Sequence, residues 1–334
     1  MSEEPNKEGA GGQTDIPSRS VMERIIFRNQ RELRSGWRFG IYLFLTILIV
    51  LLLGIIAVVL RLPLPPEHMD ALALLTQEVI FAVAAFGAAA VMARFEERPF
   101  GVYGLPGRGA FRRHFWQGTL WGFAMISAMI LLIRAFGGFS FGRFALGGGA
   151  TLRYAALWGV VFLTVGFFEE FFFRGYTQFT LATGIGFWPA AIVSSGLFGM
   201  AHLMNPGEAP VGALSVFVIG MFFCLTLERT GSLWFAVGLH AAFDWGETFF
   251  YAVPNSGAVA PGHLFDSSLH GARWLTGGSV GPEGSAMAFA VMAAAFVIFH
   301  FCYRRPSGPA AIEAPRRNWI HPGAARWLLR RPHR

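Results

Sequence analysis

An all-α polytopic membrane bundle, with about eight transmembrane helices and both termini cytoplasmic, is predicted by three observations. Charged residues make up only 14% of the 334 residues and hydrophobic residues 54%, where a soluble domain carries about 25% charge. Eight apolar segments approach the ~20 residues needed to cross a hydrocarbon core. Lys and Arg are unevenly distributed: with the N-terminus inside, 22 of 27 fall on the cytoplasmic side, and Arg61, Arg134, Arg143, Arg153 and Arg273 fall outside. This is the positive-inside bias. The net charge of +7 therefore reports topology, and no nucleic-acid partner is expected.

The segments lie near Phe39–Leu60, Leu74–Ala93, Phe115–Ile133, Thr151–Ala182, Phe187–Met204, Val211–Leu227, Ser232–Ala252 and Ser285–Tyr303. Residues 1–36 form a polar cytoplasmic tail. Within it Ser20 and Glu23 have capping-box spacing, and Val21, Ile25, Ile26 and Leu33 alternate with Arg24, Arg28, Arg31 and Arg34, which predicts a short basic amphipathic helix. No cleavable signal is present, so the first span is expected to direct insertion. Pro63, Pro65 and Pro66 mark the first external loop, and residues 94–113 form a cytoplasmic loop with Gly and Pro turns. Gly118 and Gly122 make a GxxxG, but with 41 glycines in the chain chance competes with a packing role. The fourth segment is long for one crossing and is expected to tilt or project. A hairpin turn falls at Gly184-Ile185-Gly186. Residues 253–283 form a Gly/Ser-rich external loop, and residues 304–334 a disordered basic tail. Residues 37–303 thus constitute the membrane bundle, in the plasma (inner) membrane. Cys224 and Cys302 are isolated, so no disulfide framework or cysteine metal site is readable.

Ionisable groups at membrane depth cost a few kcal/mol each on insertion scales and persist for a task or a partner. Three clusters of them stand out: Glu169-Glu170 with Arg174, His202, and His240 with Asp244. Glu170 and Arg174 are spaced i, i+4 and share a helix face, which predicts a structural pair. Glu169 is rotated about 100° from its neighbour and is free to face a cavity. Glu169 lies 16 residues before Ile185 and His202 17 after it, so antiparallel packing brings both to one depth, roughly 25 Å from the turn. His240 and Asp244 also share a face. Glu247 reads as an interfacial acid, and Glu78, which lacks a sequence partner, as a structural hydrogen-bonding group.

A carboxylate near a histidine can take a proton from water and return it to a leaving amine. A second histidine with an acidic partner can orient water or steady a tetrahedral intermediate. Glu169, His202 and His240 are equally a candidate set for a divalent metal such as Zn, two histidines and a carboxylate leaving a water position open. The HExxH helix is absent, so that option rests on tertiary convergence. No serine, cysteine or threonine sits in a nucleophile motif.

Three motifs in order, Glu169-Glu170-x-x-x-Arg174, Phe198-x-x-x-His202 and His240-x-x-x-Asp244, resemble the CPBP family of type II CAAX prenyl proteases and Abi proteins. Trp188-Pro189 and Arg229-Thr230-Gly231-Ser232-Leu233-Trp234 add to the likeness, which covers about residues 151–250. The resemblance implies an eight-helix intramembrane endopeptidase that activates water without an acyl-enzyme, of glutamic or metallo type. It implies Glu169 as base, His202 as its partner, and His240 with residue 244 as oxyanion support. The family commonly has Asn where this chain has Asp244; an ionised carboxylate only accepts hydrogen bonds, so Asp244 is better suited to orienting His240 or ligating a metal. The implied substrate is a membrane-associated or lipid-anchored peptide or protein. The alternatives are a catalytically silent membrane scaffold or regulator of the same fold and a proton-coupled transporter, the latter without the repeat that would support it.

Overall fold

The computed structural model describes residues 28–29, 32–65, 71–205 and 207–303. Among these the chain is a helical bundle: α1 (Ser35–Val59), α2 (Ala71–Phe95), α3 (Arg113–Ala135), α4 (Gly149–Ile185), α5 (Phe187–His202), α6 (Pro210–Thr230), α7 (Trp234–Trp245), the single turn α8 (Arg273–Thr276) and α9 (Ala286–Cys302). Two-residue strands make two antiparallel pairs, Arg28–Asn29 with Glu32–Leu33 and Phe139–Ser140 with Ser268–Leu269. Each of the eight apolar segments falls on a helix, but only α1, α2, α3, α4 and α6 are long and apolar enough to cross a membrane unaided. Helices α5, α7 and α9 are shorter. They sit where neighbouring helices, loops and the π-helical extension of α7 make up the length.

One expectation needs correction. The basic amphipathic helix does not run through Leu33, because Arg28 pairs with Leu33 and Asn29 with Glu32 in a short antiparallel ladder; its earlier part, like the tail 304–334, lies outside the described residues. The loop 253–283 has local structure of its own. It carries α8 and a strand, and it is tied to the bundle by Leu264 N–H donating to Phe249 O at 2.8 Å and Trp158 Nε1–H of α4 to Pro261 O at 3.3 Å.

Burial divides the helices as lipid and core demand. Helix α1 exposes Phe44, Leu51, Ile55 and Val59 and buries Tyr42 and Ala57, the pattern of an outer helix. Helix α6 buries Val216, Phe222, Phe223, Cys224 and Leu227. Pro210 opens it at the first turn, where a missing N–H costs nothing, and Gly231 closes it in the left-handed region at φ 72°. Ser285 caps α9, its hydroxyl accepting from Ala288 N–H at 3.2 Å.

Close helix approach depends on glycine at the α3–α7 seam. A Cβ on Gly118 would stand 2.0 Å from the Phe235 carbonyl oxygen, one on Gly122 2.0 Å from that of Leu239, and one on Gly238 2.2 Å from that of Phe115. The GxxxG, indistinguishable from chance in the sequence, is thus the contact that seats α7 against α3. Gly166 does the same for α4 and α7, since a Cβ there would stand 3.1 Å from the Val237 carbonyl oxygen.

Helix α4 is α-helical to Glu170, π-helical over Phe171–Thr177, and α-helical again from Gln178. Gly175, at ψ −105°, marks the break. Its missing Cβ would meet Phe171 Cδ2 at 2.9 Å and Tyr103 O at 3.1 Å. The 37 residues of α4 are therefore accommodated by an internal bend. The end of α4 is clamped by a buried network: Arg38 donates from Nε to Glu96 Oε1 at 3.0 Å and from Nη2 to Oε2, and the Tyr176 hydroxyl donates to the same carboxylate.

Candidate active site

The last α-helical turn before the π segment of α4 presents Glu169 and Glu170 in different directions. Glu170 is fully buried, and its Oε1 accepts from Arg174 Nη1 at 3.3 Å and from His240 Nδ1 at 2.9 Å. Arg174 is held by aromatic faces as well, with Cζ 4.1 Å from the Phe198 ring centroid and 5.2 Å from that of Phe223, a desolvated cation–π arrangement. Gly220 makes room for it, since a Cβ there would meet Arg174 Nη2 at 2.4 Å. Glu169 instead lines a cavity of about 670 Å³.

That cavity is also lined by His202 at the end of α5 and by His240 and Asp244 on α7. Glu170 and Arg174 do not line it. The three helices therefore bring Glu169, His202, His240 and Asp244 to one chamber and leave the Glu170–Arg174 pair behind its wall.

The tautomers follow from the partners. His202 Nδ1 lies 3.0 Å from the Phe198 carbonyl oxygen. A carbonyl only accepts, so Nδ1 carries the hydrogen and neutral His202 presents Nε2 as an acceptor. Phe198 thus serves twice, fixing His202 through its backbone and Arg174 through its ring. On His240, Nδ1–H donates to the Glu170 carboxylate, and Nε2 lies 3.5 Å from both Glu169 Oε2 and Asp244 Oδ2. The Phe223 ring stacks on the imidazole at 5.3 Å with an 18° interplanar angle. Ring orientation is fixed from one side by a hydrogen bond and from one face by an aromatic plane.

Several lining groups are not assigned to the site by sequence reasoning. Glu78 of α2 is 6% exposed, and its Oε2 has no hydrogen-bond partner among the described residues, while Oε1 accepts from Gln77 at 3.3 Å. It faces the chamber rather than serving as a remote structural group. Glu283, from the turn before α9, also lines the cavity and accepts from Ser256 N–H at 2.9 Å and Oγ–H at 3.0 Å. Burial pushes the Glu283 carboxyl up to about 7, with the Asp244 charge adding and the Ser256 bonds opposing. Glu247, expected to be interfacial, is completely buried. The π-helical segment Gly246–Phe250 that follows α7 turns it inward. An acid inside an apolar span is the only sequence signal for Glu78, and Glu283 carries none.

His240 keeps Nδ1–H on Glu170 and presents Nε2 to Glu169 and Asp244, a carboxylate–imidazole arrangement that metal-ligating histidines also use. Among the described residues no group of three or more His, Cys, Asp or Glu is arranged to hold a metal ion.

The chamber thus gathers carboxylates and imidazoles inside a bundle with five helices long and apolar enough to cross a membrane. Residues 151–246 match the family described as type II CAAX prenyl endopeptidase Rce1-like. That stretch contains all three motifs, Glu169-Glu170 with Arg174, Phe198 with His202 and His240 with Asp244. No curated protein and no solved structure gives a match to the chain.

Proposed function

We propose that the chain is an intramembrane endopeptidase in which Glu169 and His202 activate water for attack on a peptide carbonyl. The observation that carries this reading is the convergence of Glu169, His202, His240 and Asp244 from three helices on one cavity that excludes Glu170 and Arg174. Water held between the Glu169 carboxylate and His202 Nε2 gives its proton to Glu169 as its oxygen bonds to the scissile carbon. His240, protonated on both nitrogens, keeps Nδ1–H on Glu170 and turns Nε2–H to the developing oxyanion. Asp244, which as a carboxylate cannot donate, orients that imidazole. Collapse of the tetrahedral intermediate breaks the C–N bond, and the proton on Glu169 passes to the departing amine.

The substrate class is a membrane-associated or lipid-anchored polypeptide, and prenylated CAAX termini are the class the matching family name indicates. The chamber wall supports an apolar ligand: Phe81, Phe168 and Phe172 border both the main cavity and an apolar groove against α1. The plasma membrane is the proposed location. The test is cleavage of a quenched-peptide library by purified protein in detergent. Glu169→Ala abolishes cleavage without loss of insertion or folding; retained cleavage refutes the assignment, and full biological complementation by Glu169→Gln would favour a silent scaffold.

A further inference from the structure

The chamber reaches connecting segments at one end only. Its lining includes Pro65, Asn205, Asn255, Ser256, Val259 and Glu283, from the segments after α1, α5 and α7 and before α9. No lining residue comes from the segments at the opposite end, 96–112, 186 and 231–233. That end is shut by buried Tyr103, Phe115, Tyr176 and Leu233 and by the Arg38–Glu96 pair.

The two ends also differ in basic charge. The closed end carries Arg34, Arg38, Arg94, Arg98, Arg108, Arg112, Arg113 and Arg229, and the chain attaches there both the N-terminal segment, with five further Lys and Arg, and the C-terminal segment, with eight Arg. The open end carries Arg61, Arg134, Arg143, Arg153 and Arg273. Short loops rich in Lys and Arg stay on the cytoplasmic side during insertion, and this bias sets orientation.

From the coincidence of the open end with the Arg-poor face, we infer that the chamber is entered from the non-cytoplasmic side. Its substrates are therefore membrane-anchored polypeptides whose scissile bond has been translocated, lying in the outer half of the bilayer or just beyond it. The sidedness stands on loop charge and cavity geometry alone; the substrate class rests in addition on the peptidase reading.

Single cysteines read the side without needing catalysis. Cys224 is buried and Cys302 exposed, so the background is Cys302→Ser. Val259, at the rim, is 62% exposed and Phe95, at the closed end, 79% exposed. With a membrane-impermeant maleimide on spheroplasts of a bacterial host, Val259→Cys is labelled as fully as after permeabilisation. Phe95→Cys is labelled only once the membrane is opened. The reverse pattern, or both labelled in intact spheroplasts, overturns the inference. Phe144→Cys, on the same face as Val259 and 68% exposed, replaces Val259→Cys if that variant does not accumulate.

A peptide stretch that detergent-solubilised protein cleaves is then fused to the outer or the inner end of a single-span anchor. Cleavage of the outer fusion at least tenfold faster supports the substrate class, and equal or inverted rates overturn it. Failure to cleave any peptide in detergent speaks against the peptidase reading and leaves the labelling result intact.

Discussion

Glu170 and His240 are joined across α4 and α7 by a 2.9 Å bond from Nδ1 to Oε1, and the same oxygen receives Arg174 at 3.3 Å. One carboxylate oxygen therefore positions both the imidazole that faces the chamber and the guanidinium that does not. Removing it strands a buried cation, at a cost of about 3–5 kcal/mol. Glu170→Ala is expected to lower the thermal midpoint in detergent sharply. The double variant Glu170→Ala/Arg174→Met should recover much of it, because the stranded charge is gone. No recovery would show that the pair contributes more than charge compensation.

Glu169 faces the chamber, and its carboxylate is the proposed base. Glu169→Gln and His202→Ala should each reduce cleavage by about 10²–10⁴-fold with the midpoint within a few degrees of wild type. A comparable loss of stability in either variant would assign that residue to packing.

The α3–α7 seam tolerates no methyl groups. Gly118→Ala and Gly122→Ala place Cβ 2.0 Å from backbone carbonyl oxygens, and overpacking of this kind costs about 1–3 kcal/mol. Gly196, mid-helix in α5, has nothing within 4 Å of such a Cβ. Gly196→Ala should therefore be neutral or stabilising by up to about 1 kcal/mol. Denaturant titration of the three variants ranks them, and equal midpoints would contradict the seam.

Glu283 holds its proton up to about 7 in the folded protein against an ordinary 4.5. The folded state binds that proton more tightly than the unfolded one, so its contribution to stability is present below pH 4.5 and lost as pH rises toward 7. Glu283→Gln keeps an oxygen for Ser256 and cannot ionise. Its midpoint should fall less than that of wild type between about pH 5 and pH 8, and parallel curves would remove Glu283 from the titration.

Because no three ligating side chains are arranged for a metal among the described residues, cleavage is expected to survive dialysis against EDTA and to gain nothing from added Zn. Loss on chelation with recovery on Zn would reassign Glu169, His202 and His240 as ligands.

The helical architecture is legible in the sequence because burial in lipid demands long apolar runs, and those runs are visible residue by residue. The family resemblance is legible because its motifs are local: Glu169-Glu170 with Arg174, Phe198 with His202, His240 with Asp244. What escapes a reading of sequence is set by contacts between distant segments. The GxxxG of α3 cannot be told from background until Phe235 and Leu239 are seen opposite it. Glu78 and Glu283 join the chamber from α2 and from the turn before α9, where no local partner announces them. The π-helical segments have no compositional mark, so the inward turn of Glu247 is unreadable, and the ladder at Arg28–Leu33 replaces part of an expected helix.

The chamber wall holds Glu78, Glu169, Asp244 and Glu283 and, among the described residues, no ammonium or guanidinium. Hydrolysis of an amide there creates a fresh anion in a compartment already rich in oxygen acceptors. Like charges at short range in a poorly screened interior repel. On the peptidase reading, the acyl fragment faces these acids with His240 as the cationic group of the lining, and turnover should suffer little product inhibition from the new C-terminus.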